Sequence, residues 1–183
     1  MRMMTLDRLD DRWWPQAHRI YDGAFPHGRK PDSVISAMFD RRMAHLHLLI
    51  KDGDGDPELL AMAISGTTGN LLLIDYVAVS EDARGLGIGG EMVGAIRQWA
   101  KSDGRVQGII VEVEAEDNEE NRSRIRFWER CGFTLTDYVH RYVWVPETYR
   151  AMYAKLDSDS SMPEDGKRLF GHITSYHNRA FRK

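Results

Sequence analysis

A glycine-rich stretch, ARGLGIGG at residues 83–90, constrains the fold of this chain more than any other feature. It follows LLLIDYVAV at residues 71–79, an almost continuously apolar run that is typical of a central strand covered on both faces. Apolar residues then recur at helical spacing as far as Ala100, which predicts a helix that Gly104 ends. Glycines let consecutive backbone N–H groups point at one anion, and the N-terminus of the helix adds its positive end. The stretch therefore predicts a phosphate-binding turn between a strand and a helix.

Two common phosphate-binding turns fit this stretch poorly. A P-loop needs Lys-Ser or Lys-Thr after its last glycine, and neither is present. Gly85, Gly87 and Gly90 do spell the G-x-G-x-x-G of a dinucleotide-binding turn, and Glu112 lies where a ribose-binding acid belongs. A dinucleotide-binding domain also needs several further βαβ units, which the rest of the chain does not predict. Only the turn fits the dinucleotide interpretation.

The pattern of the remaining chain predicts an α+β fold around a mixed sheet. Helical spacing and strand alternation divide it into segments. The predicted helices cover residues 13–25, 32–43, 121–133 and 164–183, and the predicted strands cover residues 44–51, 58–65, 108–115, 134–144 and 148–156.

Composition narrows the class of protein. A length of 183 residues fits one domain, and a formal net charge of −3 argues against a nucleic-acid-binding protein. Cys131 is the only cysteine, so an intrachain disulfide is excluded and a reducing cytoplasm is the expected compartment. The N-terminal residues lack the apolar core of a signal peptide, and no apolar run is long enough to span a bilayer. We therefore expect a cytoplasmic protein that binds neither nucleic acid nor membranes.

The stretch VAVSEDARGLGIGGEM resembles the acetyl-CoA loop of the GNAT superfamily of acyl-CoA N-acyltransferases. Arg84, Gly87 and Gly89 match the family signature Arg/Gln-x-x-Gly-x-Gly/Ala, and residues 77–79 match its V-A-V strand end. Further along, NRSRIRFWERCGF resembles the second family motif, N-x-x-A-x-x-L-Y-x-x-x-G-F. Two motifs in the expected order are far more specific than either one alone.

The resemblance implies a GNAT fold, with a mostly antiparallel central sheet flanked by helices. It implies a GNAT acetyltransferase domain at residues 1–157 and a C-terminal helical extension of that domain at residues 158–183. It also implies acetyl-CoA as cosubstrate, with a pantetheine arm that pairs with the last strand residues before the turn. The positions that match cofactor-binding residues of the family are Val77, Ala78, Val79, Arg84, Gly85, Leu86, Gly87, Ile88, Gly89, Gly90, Asn121 and Trp128.

Transfer of an acetyl group to an amine needs a base for the ammonium and help for the departing thiolate. Asp75 is the first candidate base, because it is the lone carboxylate in an apolar strand. Glu112, on the strand that the resemblance places opposite, is the second. The family usually carries a proton-donating tyrosine where this chain has Trp128, and an indole N–H cannot deliver a proton on a useful timescale. Tyr142, Tyr138 or a water could take its place, and Tyr142 is ranked first.

The acceptor is predicted less sharply. The resemblance places Phe25 in a loop that borders the acceptor site. Residues 112–120 carry six acidic side chains, which could attract a cationic amine, and Glu114 is the one assigned to substrate binding. The simpler interpretation is a solvated loop whose acids pair with the arginines that follow it. His45 and His47 share a strand face without a third ligand, so no metal is expected. Whether two copies form a homodimer stays open.

These expectations define an N-acetyltransferase that transfers acetyl from acetyl-CoA to a primary amine by direct attack. Two alternatives are an acyl-CoA-binding protein of the same fold that has lost activity and a dinucleotide-dependent oxidoreductase.

Overall fold

The structure is a computed structural model that describes residues 1–182. In chain order, the strands and helices of these residues are β1 (Arg2–Leu6), α1 (Trp14–Ala24), α2 (Asp32–Asp40), β2 (His45–Lys51), β3 (Glu58–Thr68), β4 (Leu71–Val79), α3 (Ile88–Asp103), β5 (Gly108–Glu114), α4 (Glu119–Arg130), β6 (Thr134–Arg141), β7 (Thr148–Lys155) and α5 (Gly166–Ala180). None of the helices within residues 1–182 has the length and apolarity that crossing a bilayer requires.

The strands form one mixed sheet in the order β1-β2-β3-β4-β5-β7-β6. The pairs β1–β2, β2–β3, β5–β7 and β6–β7 are antiparallel, whereas β4 and β5 are parallel. The ladder between β4 and β5 joins residues 71–73 to residues 108–110, and β4 itself runs on to Val79. The prediction of an α+β fold with a mostly antiparallel sheet is confirmed.

Strand β1 is the element that the sequence analysis missed. Its residues, RMMTL, carry no clear alternation of apolar and polar side chains. Only Thr5 belongs to the β-branched or aromatic types that favour strands. The strand exists because it pairs with β2, from Arg2 opposite Ile50 to Leu6 opposite Leu46. A partner more than forty residues away, rather than local preference, makes this segment extended.

Several predicted boundaries also shift; β6, for example, ends at Arg141 rather than Trp144. β3 continues to Thr68, and the turn into β4 is made by Gly69, whose φ of +62° suits glycine. α4 begins at Glu119 rather than Asn121, because the side chain of Asn118 accepts a hydrogen bond from the backbone N–H of Asn121 at 2.8 Å and caps the helix.

The described chain divides into two compact units. The first contains residues 1–66, residues 74–96 and the residues from Ala180 on; α1, α2, β1, β2 and the glycine turn belong to it. The second contains residues 67–73 and 97–179, with β5, β6, β7 and α4. The predicted boundary between residues 157 and 158 falls inside the second unit.

His47 lies in the core of the first unit and should make stability depend on pH. Its Nε2 lies 2.7 Å from the Ser65 hydroxyl and its Nδ1 lies 2.9 Å from the Thr5 hydroxyl. Burial, followed by the nearby His45, lowers the pKa of His47 to about 3. Below pH ~6.5 the His47 side chain binds a proton in the unfolded chain but stays neutral in the folded chain. The free energy of unfolding should therefore fall by about 1.4 kcal/mol per pH unit from pH ~6.5 down to about 3.

Urea unfolding at pH 7 and pH 5 tests this expectation. The wild type should lose about 2 kcal/mol more than His47→Gln between the two pH values. His27→Gln, which changes an exposed histidine of the same unit, should keep the wild-type dependence. Equal losses in all three proteins would contradict the role of His47.

Candidate functional site

The glycine turn joins β4 to α3 in the first unit. After Val79, the backbone N–H of Ser80 donates to the carbonyl of Leu60 at 2.8 Å, which fixes the start of the turn. Gly85 and Gly87 then adopt φ values of +77° and +79°. Residues with a Cβ are strained in this region, so the shape of the turn requires glycine at both positions.

The space beside these glycines is open. A Cβ built at Gly85, Gly87 or Gly90 would meet no other atom within 4 Å, so close packing is not what excludes side chains there. The turn leads into the N-terminus of α3, the positive end of the helix, where the N–H groups of Gly90 and Glu91 donate to the Gly87 carbonyl at 3.0 and 3.2 Å. Arg84 is exposed at the start of the turn. Backbone donors, a helix N-terminus and a cation together can hold a phosphate or pyrophosphate.

Asp75 of β4 does not stand alone as the sequence suggested. The ammonium of Lys30, in the loop between α1 and α2, donates to both carboxylate oxygens at 2.8 Å. The two side chains are only 5% and 4% exposed. The sequence analysis did not foresee this partner, and the catalytic role of Asp75 stays a prediction. Its observed partner makes it the anchor of the loop.

Aromatic rings surround this ion pair within the first unit. The Lys30 ammonium lies 5.1 Å from the centre of the Tyr76 ring, and the Lys30 backbone N–H donates to the Tyr76 hydroxyl at 3.0 Å. The Tyr21 hydroxyl donates to the Lys30 carbonyl at 3.2 Å, and burial raises the pKa of Tyr21 to about 12. Phe25 packs edge-on against Tyr76 with ring centres 5.0 Å apart. The predicted substrate residue Phe25 therefore has a packing role, and its contact with an acceptor stays a prediction.

Glu112 and Tyr142, both predicted as catalytic residues, lie together in the second unit. The Tyr142 hydroxyl donates to Oε2 of Glu112 at 2.8 Å. The other carboxylate oxygen, Oε1, lies 2.6 Å from Nε2 of His177, a residue of α5. The His177 and Glu112 side chains are 15% and 22% exposed. The structure thus forms a tyrosine–carboxylate–histidine chain, of which the sequence analysis named two members.

Aromatic side chains border this chain of hydrogen bonds. Tyr142 lies edge-on to Tyr149 with ring centres 5.6 Å apart, and His140 stacks on Phe170 at 4.3 Å. Burial raises the pKa of Tyr149 to about 12, and the carboxylates of Glu112, Glu147 and Glu114 add to this. Burial lowers the pKa of His140.

The acidic stretch at residues 112–120 pairs with the arginines that follow it. Carboxylates and guanidinium groups meet in five pairs, Arg122 with Asp117 and Glu119, Arg124 with Glu114 and Glu120, and Arg126 with Glu119. The hydrogen bond from Arg126 holds the pKa of Glu119 below its usual range. The simpler interpretation of this stretch is confirmed. The substrate role of Glu114, which lies 3.7 Å from Arg124, stays a prediction.

Asn121 and Trp128, predicted to contact the cofactor, are both buried in the second unit. The Asn121 side chain donates to the Glu116 carbonyl at 3.0 Å and accepts from Arg124 at 3.2 Å, so it holds the start of α4. Trp128 is 8% exposed and packs edge-on against Phe133 with ring centres 4.9 Å apart. These contacts give both residues a place in the core, and their contact with cofactor stays a prediction.

The described residues include no group of three or more histidine, cysteine, aspartate or glutamate side chains placed to hold a metal ion. The absence of a metal cofactor stays a prediction.

Sequence reasoning missed Lys30 and His177. Each joins a carboxylate far away in the chain, at separations of 45 and 65 residues, so no local pattern pairs them. A partial signal existed for His177. It lies four residues after Ile173, next to the stripe through which α5 packs, so helical spacing places it at the edge of a buried face.

Comparisons with known proteins agree with the turn and the sheet. Residues 10–133 match the family model described as the acetyltransferase (GNAT) family. A curated relative, "Putative acetyltransferase YjbC" of Bacillus subtilis (strain 168), is 30% identical over 149 residues, which cover 73% of each chain.

Solved structures share the fold. The "Putative acetyltransferase from GNAT family from Bacteroides thetaiotaomicron" superposes with a TM-score of 0.73 at 19% sequence identity. The superposition covers 96% of this chain and 98% of the other. A Bacillus subtilis acetyltransferase solved in complex with CoA has a TM-score of 0.59 at 16% identity, with 84% and 97% coverage. The dinucleotide-binding interpretation of the glycine turn is wrong, and this chain belongs to the GNAT family of acetyltransferases.

Proposed function

We propose that the protein transfers the acetyl group of acetyl-CoA to a primary amine, by direct attack of the amine on the thioester while both substrates are bound. The observation that carries the proposal is the glycine turn before α3. Its two left-handed glycines, its open space and Arg84 form a cradle suited to the pyrophosphate of coenzyme A. The Bacillus subtilis neighbour, which shares the fold, was solved with CoA.

Direct attack is supported by the raised pKa of Cys131, the only cysteine in the sequence. A route through an acetylated enzyme needs an activated nucleophile, such as a thiol whose pKa is lowered. Burial instead raises the pKa of the Cys131 thiol, which lies half-buried at the end of α4. An amine that attacks the thioester itself needs no such residue. It needs proton transfer, which the hydrogen-bonded chain around Glu112 can provide.

Tyr142 is the proposed proton donor to the coenzyme A thiolate. Trp128 occupies the position where the family resemblance implies a tyrosine, and its indole is packed in the core. The Tyr142 phenol has an exchangeable proton and is held by Glu112 at 2.8 Å. A thiol of ordinary pKa near ~8.5 is a tolerable leaving group, so a weak donor is sufficient.

A second candidate function, an acyl-CoA-binding protein without transfer activity, is favoured by the same tryptophan. The two functions share acetyl-CoA binding and differ in turnover. Cytoplasmic location and the formation of a homodimer stay predictions in either case.

Calorimetric titration with acetyl-CoA, with NADH and ATP as parallel controls, tests the first step of the proposal. We expect micromolar binding of acetyl-CoA alone. A panel of primary amines, containing spermidine, a lysine-containing peptide, an aminosugar and 2-phenylethylamine, then tests transfer by release of the free thiol of coenzyme A. Acetyl-CoA binding without turnover of any amine would favour the second candidate, and absence of acetyl-CoA binding would reject both.

A further inference from the structure

We propose that His177, in the last turn of α5, accepts the proton of the acceptor ammonium, and that Glu112 orients it. This inference rests on the proposed function and deepens it, because it assigns the base to a residue outside the part of the chain that matches the family model, residues 10–133. It also reverses the place of Glu112, which the sequence analysis named as the second candidate base after Asp75.

The hydrogen bonds of Glu112 explain the reversal. An ionised carboxylate only accepts hydrogen bonds, so the His177 nitrogen 2.6 Å from Oε1 must carry a hydrogen. The imidazole is then protonated at Nε2, and its basic lone pair is on Nδ1. Meanwhile the Tyr142 hydroxyl occupies Oε2 at 2.8 Å. Because donors already occupy both carboxylate oxygens, the atom that this pair of side chains can offer to an ammonium proton is Nδ1 of His177.

The charges around His177 also suit a base. A positive charge formed on the ring would face the Glu112 carboxylate of β5 and the C-terminal carbonyl groups of α5. Other titratable groups near the ring include Tyr176 of α5 and Tyr142, with ring centres 6.0 Å and 6.3 Å from that of His177, together with Tyr149 of β7 and His140 of β6, which contact Tyr142. At 15% exposure the ring is sheltered but not sealed from solvent.

The proton and electron balance is complete without a further reactant. Nδ1 of His177 removes one proton from R–NH₃⁺, and the amine lone pair forms the new C–N bond to the thioester carbonyl. Collapse breaks the C–S bond, and the electron pair leaves on sulfur. The thiolate takes the proton of the Tyr142 phenol, which gives the free thiol, and the phenolate recovers the second amine proton. His177 returns its proton to solvent.

The test measures kcat/KM between pH 6 and pH 9 with acetyl-CoA and the fastest amine of the panel. We expect His177→Gln to lower kcat/KM at pH 7 at least about 100-fold and to move the rise of activity to the alkaline pH at which the amine itself loses its proton, because a variant without the base depends on free amine. Acetyl-CoA affinity by calorimetry should stay within twofold of wild type. His177→Ala should regain part of its activity when free imidazole is added.

A matched control is available in the same helix. Nδ1 of His172 lies 3.2 Å from the carbonyl oxygen of Thr68, so this histidine has a partner outside the chain of Tyr142, Glu112 and His177. His172→Gln should therefore keep kcat/KM within a few-fold of wild type and keep the same pH profile. Thermal melting of each variant verifies that it is folded.

Each result decides between assignments. A rise of activity that keeps its wild-type position in His177→Gln but moves to alkaline pH in Glu112→Gln would make Glu112 the base and overturn this inference, while the proposed function would stand. Unchanged kcat/KM in His177→Gln would overturn it as well. No turnover by wild type with any amine, despite acetyl-CoA binding, would overturn both the inference and the proposed transfer.

Discussion

Replacing Gly87 with glutamate should abolish measurable acetyl-CoA binding while the protein remains folded. At φ +79° any residue with a Cβ is strained by about 1–2 kcal/mol, and this strain distorts the turn. The added carboxylate would enter the open space beside the turn and repel the pyrophosphate expected there. Both effects act against the bound state, so we expect a loss of affinity of at least about 100-fold in calorimetric titration, equivalent to about 2.7 kcal/mol.

Two further variants separate the causes. Gly87→Ala introduces the strain without the charge and should weaken binding less. Gly94→Glu introduces the same side chain seven residues further along α3, at an exposed position where a Cβ also meets no atom within 4 Å. It should bind acetyl-CoA like wild type. If Gly87→Glu keeps wild-type affinity, the turn does not hold the cofactor.

Replacing Lys30 with methionine should destabilise the protein by about 3–5 kcal/mol, the usual cost of removing one partner from a buried ion pair. Lys30 and Asp75 are 5% and 4% exposed, and the ammonium donates to both carboxylate oxygens at 2.8 Å. Without Lys30 the carboxylate would stay buried with its strongest partner gone. The free energy of unfolding in urea, measured at pH 7, gives the cost.

The double variant Lys30→Met/Asp75→Leu removes the stranded charge and should recover most of the lost stability. Lys51→Met is the matched surface control, because Lys51 pairs with Glu58 at 3.9 Å and the two side chains are 62% and 56% exposed. Its cost should be below about 1 kcal/mol. A cost equally small for Lys30→Met would mean that Asp75 finds water or another donor, and that the loop between α1 and α2 is not anchored by this pair.

Local patterns predicted most of the fold. Alternating apolar residues placed β2, helical stripes placed α3 and α5, and Gly104, with φ +69°, ends α3 as expected. The glycine turn was predictable because its function depends on backbone shape, which glycine spacing records directly. β1 was not, because its extended conformation depends on pairing with a strand that lies forty residues later.

The candidate site was predictable only in part, for the same physical reason. Glu112 and Tyr142 could be named singly from residue type, but their hydrogen bond joins residues 30 positions apart. Asp75 looked like an isolated acid because Lys30 is distant in sequence and sits in a loop without periodicity. The partner of a buried charge is a property of the tertiary fold, so the sequence identified the acids without revealing which of them were already paired.

The position of His177 near the end of α5 has a consequence for how activity should respond to heat. The final turn of a helix has fewer intrahelical hydrogen bonds than its middle, so in α5 it depends on tertiary contacts such as the one from the Arg179 guanidinium to the Thr67 carbonyl at 2.9 Å. The contact between His177 and Glu112 spans 65 residues and depends on that turn, whereas the glycine turn lies in the middle of the chain between β4 and α3. On warming, the protein should lose its proton-transfer activity at a lower temperature than it loses the binding of coenzyme A. Over a range of temperatures the protein would then be folded and bound to acetyl-CoA but inactive.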